Sequence, residues 1–191
     1  MRQLLPILGG LFIMSCATAT AEPIVADTFL EFAFFDAGTP ATGCQPADPA
    51  GDFCSPSSGT PTEFLPAPPW TFTADAGGAT LTVTDAFISG DQFEIFDFGA
   101  SIGLTSAPVA GVDCGDDPVV CLATAEMSKA AFALAAGPHS ITITPSIVPE
   151  PGGVGYLRVT GETAAVPEPT TLLLLATGVG LIARAARSRS I

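Results

Sequence analysis

Three groups of side chains in this sequence have residue types and spacings suited to chemistry. The first is a pair of acids. Asp85 ends a run of alternating threonine and apolar residues, Ser89-Gly90 forms a turn, and Asp91 precedes a second alternating run at Phe93-Glu94. Acids flanking a turn can converge on Ca²⁺, which takes roughly six to eight oxygen ligands. Asp113, Asp116 and Asp117 beside Cys114 form a second acidic loop of the same donor type. Neither has EF-hand spacing, and a solvated rim is the plainer reading of Asp85, Asp91 and Asp97. The second group is the single histidine, in Gly137-Pro138-His139-Ser140. Adjacency does not make Ser140 a nucleophile, because a base and its nucleophile must converge in space. His139 therefore reads as a turn residue entering a strand. The third group is Cys44, Cys54, Cys114 and Cys121, the four that remain once Cys16 is assigned to an N-terminal apolar run. Four is an even number, and pairing Cys44 with Cys54 and Cys114 with Cys121 closes two short loops, worth ~2–3 kcal/mol each in the chain-entropy model. A metal site is the rival use, but neither spacing is the tight pair usual for zinc and no histidine accompanies them.

The elements that position these groups read as strands. Leu30, Phe32 and Phe34 alternate with Glu31 and Ala33; Trp70, Phe72 and Ala74 with Thr71 and Thr73; Leu81 and Val83 with Thr80, Thr82 and Thr84. Phe93 and Ile95, Ile141 and Ile143, and Leu157 and Val159 repeat the pattern. A period of two predicts antiparallel strands with one buried face and one wet, Thr-rich face. Turn residues separate them at Asp75–Gly78, Ser89–Asp91, Ala136–Pro138 and Gly152-Gly153. The expected fold class is all-β: an antiparallel β-sandwich or jelly-roll-like domain with one short helix, flanked by an N-terminal signal helix and a C-terminal hydrophobic helix. The helix is expected from Val119 to about Ser128; Lys129–Leu134 either extends it or, as the preferred reading, forms a strand with Phe132 and Leu134 inward. Gly38–Pro69, rich in proline, reads as a long and partly disordered loop after the first strand.

The chain is 191 residues long and 48% hydrophobic, with a formal net charge of −13. Its parts differ sharply. Arg2, an apolar run from Leu4 to Met14 and the small residues Ala19-Thr20-Ala21 make residues 1–21 a secretory signal peptide, handled by the Sec export machinery. The rival reading is Ile13-Met14-Ser15-Cys16 as a lipobox with Cys16 acylated. Residues 22–165 form the exported domain, with eighteen acids against Lys129 and Arg158. Such a surface excludes nucleic acid, which needs basic side chains to neutralise phosphates. Residues 166–191 comprise Val166-Pro167-Glu168-Pro169, an apolar segment containing Leu172, Leu173, Leu174, Leu175, Leu181 and Ile182, and a basic terminus with Arg184, Arg187 and Arg189. The prolines break any preceding element. The apolar segment suits a short membrane anchor with its arginines on the cytoplasmic side.

That order of parts resembles the PEP-CTERM sorting signal of bacterial surface proteins, over Val166 to about Arg189. The resemblance implies processing by exosortase, a membrane-embedded transpeptidase or protease of Gram-negative bacteria. It also implies a membrane-anchored precursor, release to the envelope, surface or extracellular matrix, and an association with extracellular polysaccharide and biofilm. Val148-Pro149-Glu150-Pro151 repeats the tetrapeptide, but Gly152-Gly153 follows it instead of an apolar run. Phe72–Ser106 resembles, more faintly, a CUB-like module of secreted proteins, a likeness that implies no activity. Two function classes follow. One is a non-enzymatic surface or matrix protein binding polysaccharide, cations or copies of itself. The other is a small secreted glycoside hydrolase, which needs two carboxylates ~5–10 Å apart in a groove. No nucleophile elbow, zinc-protease helix or phosphate loop is present.

Overall fold

The computed structural model describes residues 24–161. The signal peptide, Cys16, the Val166–Pro169 motif, the apolar segment and the basic terminus lie outside the described residues. Eleven strands and one helix follow in chain order: β1 Phe29–Phe34, β2 Cys44–Gln45, β3 Asp52–Phe53, β4 Thr62–Phe64, β5 Trp70–Ala74, β6 Ala79–Asp85, β7 Gln92–Asp97, β8 Ala100–Leu104, α1 Pro118–Ala123, β9 Lys129–Leu134, β10 Gly137–Ile147 and β11 Gly153–Thr160. They form a five-stranded sheet in the order β4-β1-β11-β6-β9, a four-stranded sheet β5-β10-β7-β8 and the small pair β2-β3. All pairings in the two larger sheets are antiparallel except β1 with β4.

The alternation read from the sequence is the reason these two sheets meet. Leu30, Phe32 and Phe34 of β1, Leu81 and Val83 of β6, and Leu157 and Val159 of β11 share one apolar cluster with Trp70 and Phe72 of β5, Phe93 and Ile95 of β7, and Ile141 and Ile143 of β10. Phe32 lies at its centre, with its ring 5.4 Å from Phe93 in an edge-to-face arrangement and 5.9 Å from Trp70. Trp70 satisfies its indole N–H on the Pro66 carbonyl at 2.8 Å. Opposite Phe32 on β11 stands Gly155. A Cβ there would collide with the Phe32 ring, so the missing side chain is what admits the phenyl group.

Four expectations change. β1 has no wet face: Glu31 and Ala33 are as buried as their apolar neighbours. The reason is a second apolar layer outside the five-stranded sheet, where Phe29, Ala86 and Tyr156 pack under Cys114, Cys121, Met127 and Leu122. The Gly38–Pro69 stretch is ordered. Its β4 extends the sheet beside β1, and Cys44–Cys54 closes the β2-β3 pair with Cα atoms 5.6 Å apart. The helix ends at Ala123, five residues early, because Thr124 leaves helical geometry and caps the Val120 and Cys121 carbonyls. Both disulfides have the expected pairing, and β9 spans the expected residues with Leu134 inward. Gly137 and Pro138, expected in a turn, already belong to β10.

Replacing Phe32 by alanine should cost ~3–5 kcal/mol of unfolding free energy, and Gly155→Ala ~1–3 kcal/mol through overpacking. Urea denaturation checks both. A Gly155→Ala change with no loss would mean that the Phe32 ring is not held as described.

Candidate functional site

Asp85 and Asp91 come together, as the turn between them requires. Asp85 is the last residue of β6, on the face that carries Leu81 and Val83, and is fully buried. Its Oδ1 accepts the Ala86 N–H at 2.9 Å, and its Oδ2 accepts the Gly90 and Asp91 N–H groups, both at 3.2 Å. The Asp91 side chain is hydrogen-bonded to Asp85, and its Oδ1 is buried with no partner among the described residues. Gly90 makes the loop possible: its φ is +157°, and a Cβ would meet Pro149 Cγ at 2.9 Å.

Burial raises both carboxyls: Asp85, raised further by the Asp91 charge, is pushed up to about 8, and Asp91, against its hydrogen bond to Asp85, up to about 6. The pair therefore keeps one proton near neutrality, as coupled carboxyls do. Two carboxyl groups in direct contact are closer than the ~5 Å or more that glycoside hydrolysis needs. As a cation site, the pair offers the unpartnered Asp91 oxygen plus Asp85 oxygens already committed to N–H donors. Next to the pair opens a cavity of about 320 Å³, lined by Phe87, Ile88, Asp91, Pro149, Glu150 and Val154 among others. The internal Pro149-Glu150 repeat thus forms part of a cavity wall.

Asp97 is likewise not part of a solvated rim. Asp97 accepts from the Ser140 N–H at 2.9 Å and meets His139 Nδ1 at 2.7 Å, while His139 Nε2 faces the Ala135 carbonyl at 2.9 Å. His139 is nearly buried, lies within β10 and packs on Phe72 with ring centroids 5.1 Å apart. It is a structural histidine held by two acceptors, not a turn residue. In the second acidic loop, Asp117 caps α1 through the Val119 N–H, Asp113 accepts from Gly115, and Asp116 binds Ser58 through both N–H and hydroxyl. Those carboxylates hold backbone.

Sequence reasoning missed Glu31. It is fully buried, its Oε1 accepts the Thr62 hydroxyl at 2.5 Å, and its Oε2 has no partner among the described residues. Burial first, and Asp116 further, raise it above the usual carboxylate range, against the Thr62 bond. A charged residue between Leu30 and Phe32, with Ala33 following, was the available signal; it was assigned to a wet face.

Among the described residues no helix is long and apolar enough to cross a membrane. The family model of the PEP-CTERM protein-sorting motif matches residues 165–190. The chain thus ends in the motif that marks an exosortase substrate, exported and sorted to the cell surface. No curated protein and no solved structure matches the chain.

Raised carboxyl titrations fix the sign of a pH effect. Folding favours the protonated pair, so its stability contribution is full below the unfolded value of about 3.9 and is lost as pH rises through about 6 to about 8. Asp91→Asn, whose amide can donate to Asp85 without titrating, should therefore gain on the wild type as pH rises from 5 to 9, by at least ~2 kcal/mol. Thermal melts across that range read the difference, and parallel curves would refute the shared proton. Millimolar Ca²⁺ raising the wild-type melting temperature at pH 8, but not that of Asp91→Asn, would assign the pair to calcium instead.

Proposed function

We propose that this protein is a non-enzymatic surface or matrix protein of a Gram-negative envelope, with an acidic jelly-roll domain carried between a cleaved signal peptide and an exosortase-processed tail. The observation that carries the reading is the sorting motif at residues 165–190, placed directly after a β domain that ends at Thr160. The domain's topology supports its half of the proposal. With β2, β3 and β4 set aside as an excursion, eight strands remain. Counted along the chain, one sheet takes the first, eighth, third and sixth, and the other the second, seventh, fourth and fifth. That is the order of a jelly roll, an architecture that includes lectin domains but assigns no ligand by itself.

The commitment of the carboxylates supports a non-catalytic role. Asp85 and Asp91 hold each other, Asp97 holds His139, and Asp113, Asp116 and Asp117 hold loop backbone and Ser58. A role at extracellular polysaccharide or in biofilm accompanies the likeness of the tail. Calcium at the Asp85–Asp91 pair is a secondary proposal, which the melts described above decide.

Processing near Pro167-Glu168-Pro169 should depend on that motif. Glu168→Ala, or removal of Thr170–Ile191, expressed in an exosortase-bearing host should change the mature mass or shift the protein between membrane, envelope and medium. Intact mass of the protein recovered from each fraction gives the answer. Identical mass and location for both variants and the wild type would remove the sorting reading.

A further inference from the structure

The two disulfides sit in different surroundings. Cys114–Cys121 bridges the residues before and within α1, in the apolar layer beneath Met127 and Tyr156. Cys44–Cys54 instead lies against a carboxyl group: a Glu31 oxygen and the Sγ atoms of Cys44 and Cys54 all fall within 4.8 Å of one another. Cys44 is fully buried, whereas Cys54 is partly exposed. Glu31 is itself fully buried and has one oxygen bonded to Thr62 and the other unpartnered among the described residues. An unpartnered buried carboxyl oxygen costs stability, and costs more as part of an anion than as part of a neutral acid.

We propose that Cys44–Cys54 is a site of thiol–disulfide exchange and that Glu31 supplies the proton to the leaving Cys44 sulfur. An external thiol, from a small molecule or a dithiol protein, attacks as its thiolate at the sulfur of Cys54, the partly exposed residue of the pair. The new bond joins that sulfur to Cys54, the Cys44–Cys54 bond breaks, and its electron pair leaves on Cys44 Sγ. Cys44 takes the Glu31 carboxyl proton and becomes a thiol, leaving Glu31 as carboxylate. A second thiolate then displaces Cys54 from the mixed disulfide. Two external thiols are oxidised to one disulfide, the protein gains two thiols, and the departing Cys54 thiolate and Glu31 each take a proton from water, matching the two that the external thiols lost on ionising. Leaving-group protonation is what accelerates such an exchange when the departing sulfur is buried and cannot be solvated as an anion.

Every group facing Glu31 bears on when it holds that proton. Asp116 repels its charged form, and the Thr62 hydroxyl and the Ser57 backbone favour it. Tyr156, its cross-strand neighbour on β11, donates to the Asp116 carbonyl at 2.7 Å and stays protonated beyond the ordinary phenol range, through burial and the nearby Glu31, Asp116 and Asp117. No basic side chain is among these influences. Release of the bridge would remove the covalent link between β2 and the end of β3.

The full chain with both disulfides formed is treated with dithiothreitol, quenched by alkylation and digested, so that mass spectrometry follows each bridge separately. Cys114–Cys121 is the internal control. At mildly acidic pH, Cys44–Cys54 should open at least about ten-fold faster than the control, and Glu31→Gln should remove about ten-fold of that rate while leaving the control unchanged. Opening of the control bridge at the rate of an unfolded chain would identify a misfolded variant. In that case Thr62→Val decides: it keeps the acid, removes a bond that favours the anion, and should extend fast opening of Cys44–Cys54 to higher pH. The wild-type rate should flatten as pH rises and Glu31 loses its proton, while the control follows the thiolate concentration of the reagent. Equal rates for the two bridges, or pH profiles that Glu31→Gln and Thr62→Val both leave unmoved, would overturn the proposal.

Discussion

A scarcity of positive charge governs this domain. Residues 22–165 hold eighteen acids and two bases, and Lys129 spends its ammonium on the Leu122 and Thr124 carbonyls. A carboxylate that leaves water here must find an N–H, a hydroxyl or a proton, because cations are too few to neutralise it. The fold meets that requirement repeatedly. Asp48 is buried on the Gly43 and Ala50 N–H groups. Asp85 collects three N–H bonds and a shared proton, Asp117 caps α1, and Asp97 uses the single histidine. Loop conformations are selected by carboxylates, in place of the salt bridges that a more balanced composition would use.

The same scarcity explains why β1 can be buried on both sides. A strand in a two-sheet fold normally gives one face to water, and Glu31 in its middle would favour that outcome. Instead the Gly38–Pro69 excursion and the α1 region cover the outer face, each closed by a disulfide of short span. Burying Glu31 is costly as an ion and cheap as an acid. The Thr62 hydroxyl on β4 meets one oxygen, and β4 runs parallel to β1, which brings that hydroxyl alongside.

Much of this could be read from the residues. Strict alternation located β5, β6, β7 and the apolar half of β10, because a period of two survives in any sheet with one apolar neighbour. Both cysteine pairings followed from loop length. The carboxyl pair was located by the turn between Asp85 and Asp91, although its burial was not. What stayed hidden depends on contacts distant in sequence. Nothing near Glu31 announces that Cys44, Thr62 and Tyr156 converge on it, and nothing near His139 announces Asp97, forty-two positions away. The excursion defeated composition-based reading because its order comes from a disulfide and from β4 pairing with β1, neither of which proline content reports.

The adjacency of β1 and β11 settles where the chain enters and leaves. Leu30 pairs with Leu157, and Asp27 donates its N–H to the Val159 carbonyl. The described chain therefore begins and ends at one pole of the domain, while Asp85, Gly90 and the Pro149–Gly153 loop cluster at the other. For a body tethered through the chain beyond Gly161, the pole carrying the carboxyl pair is the one held farthest from the tether. Tension applied between the two chain ends would open the β1–β11 seam rung by rung, as a zipper opens, while tension on the tail alone would load β11 against both β1 and β6.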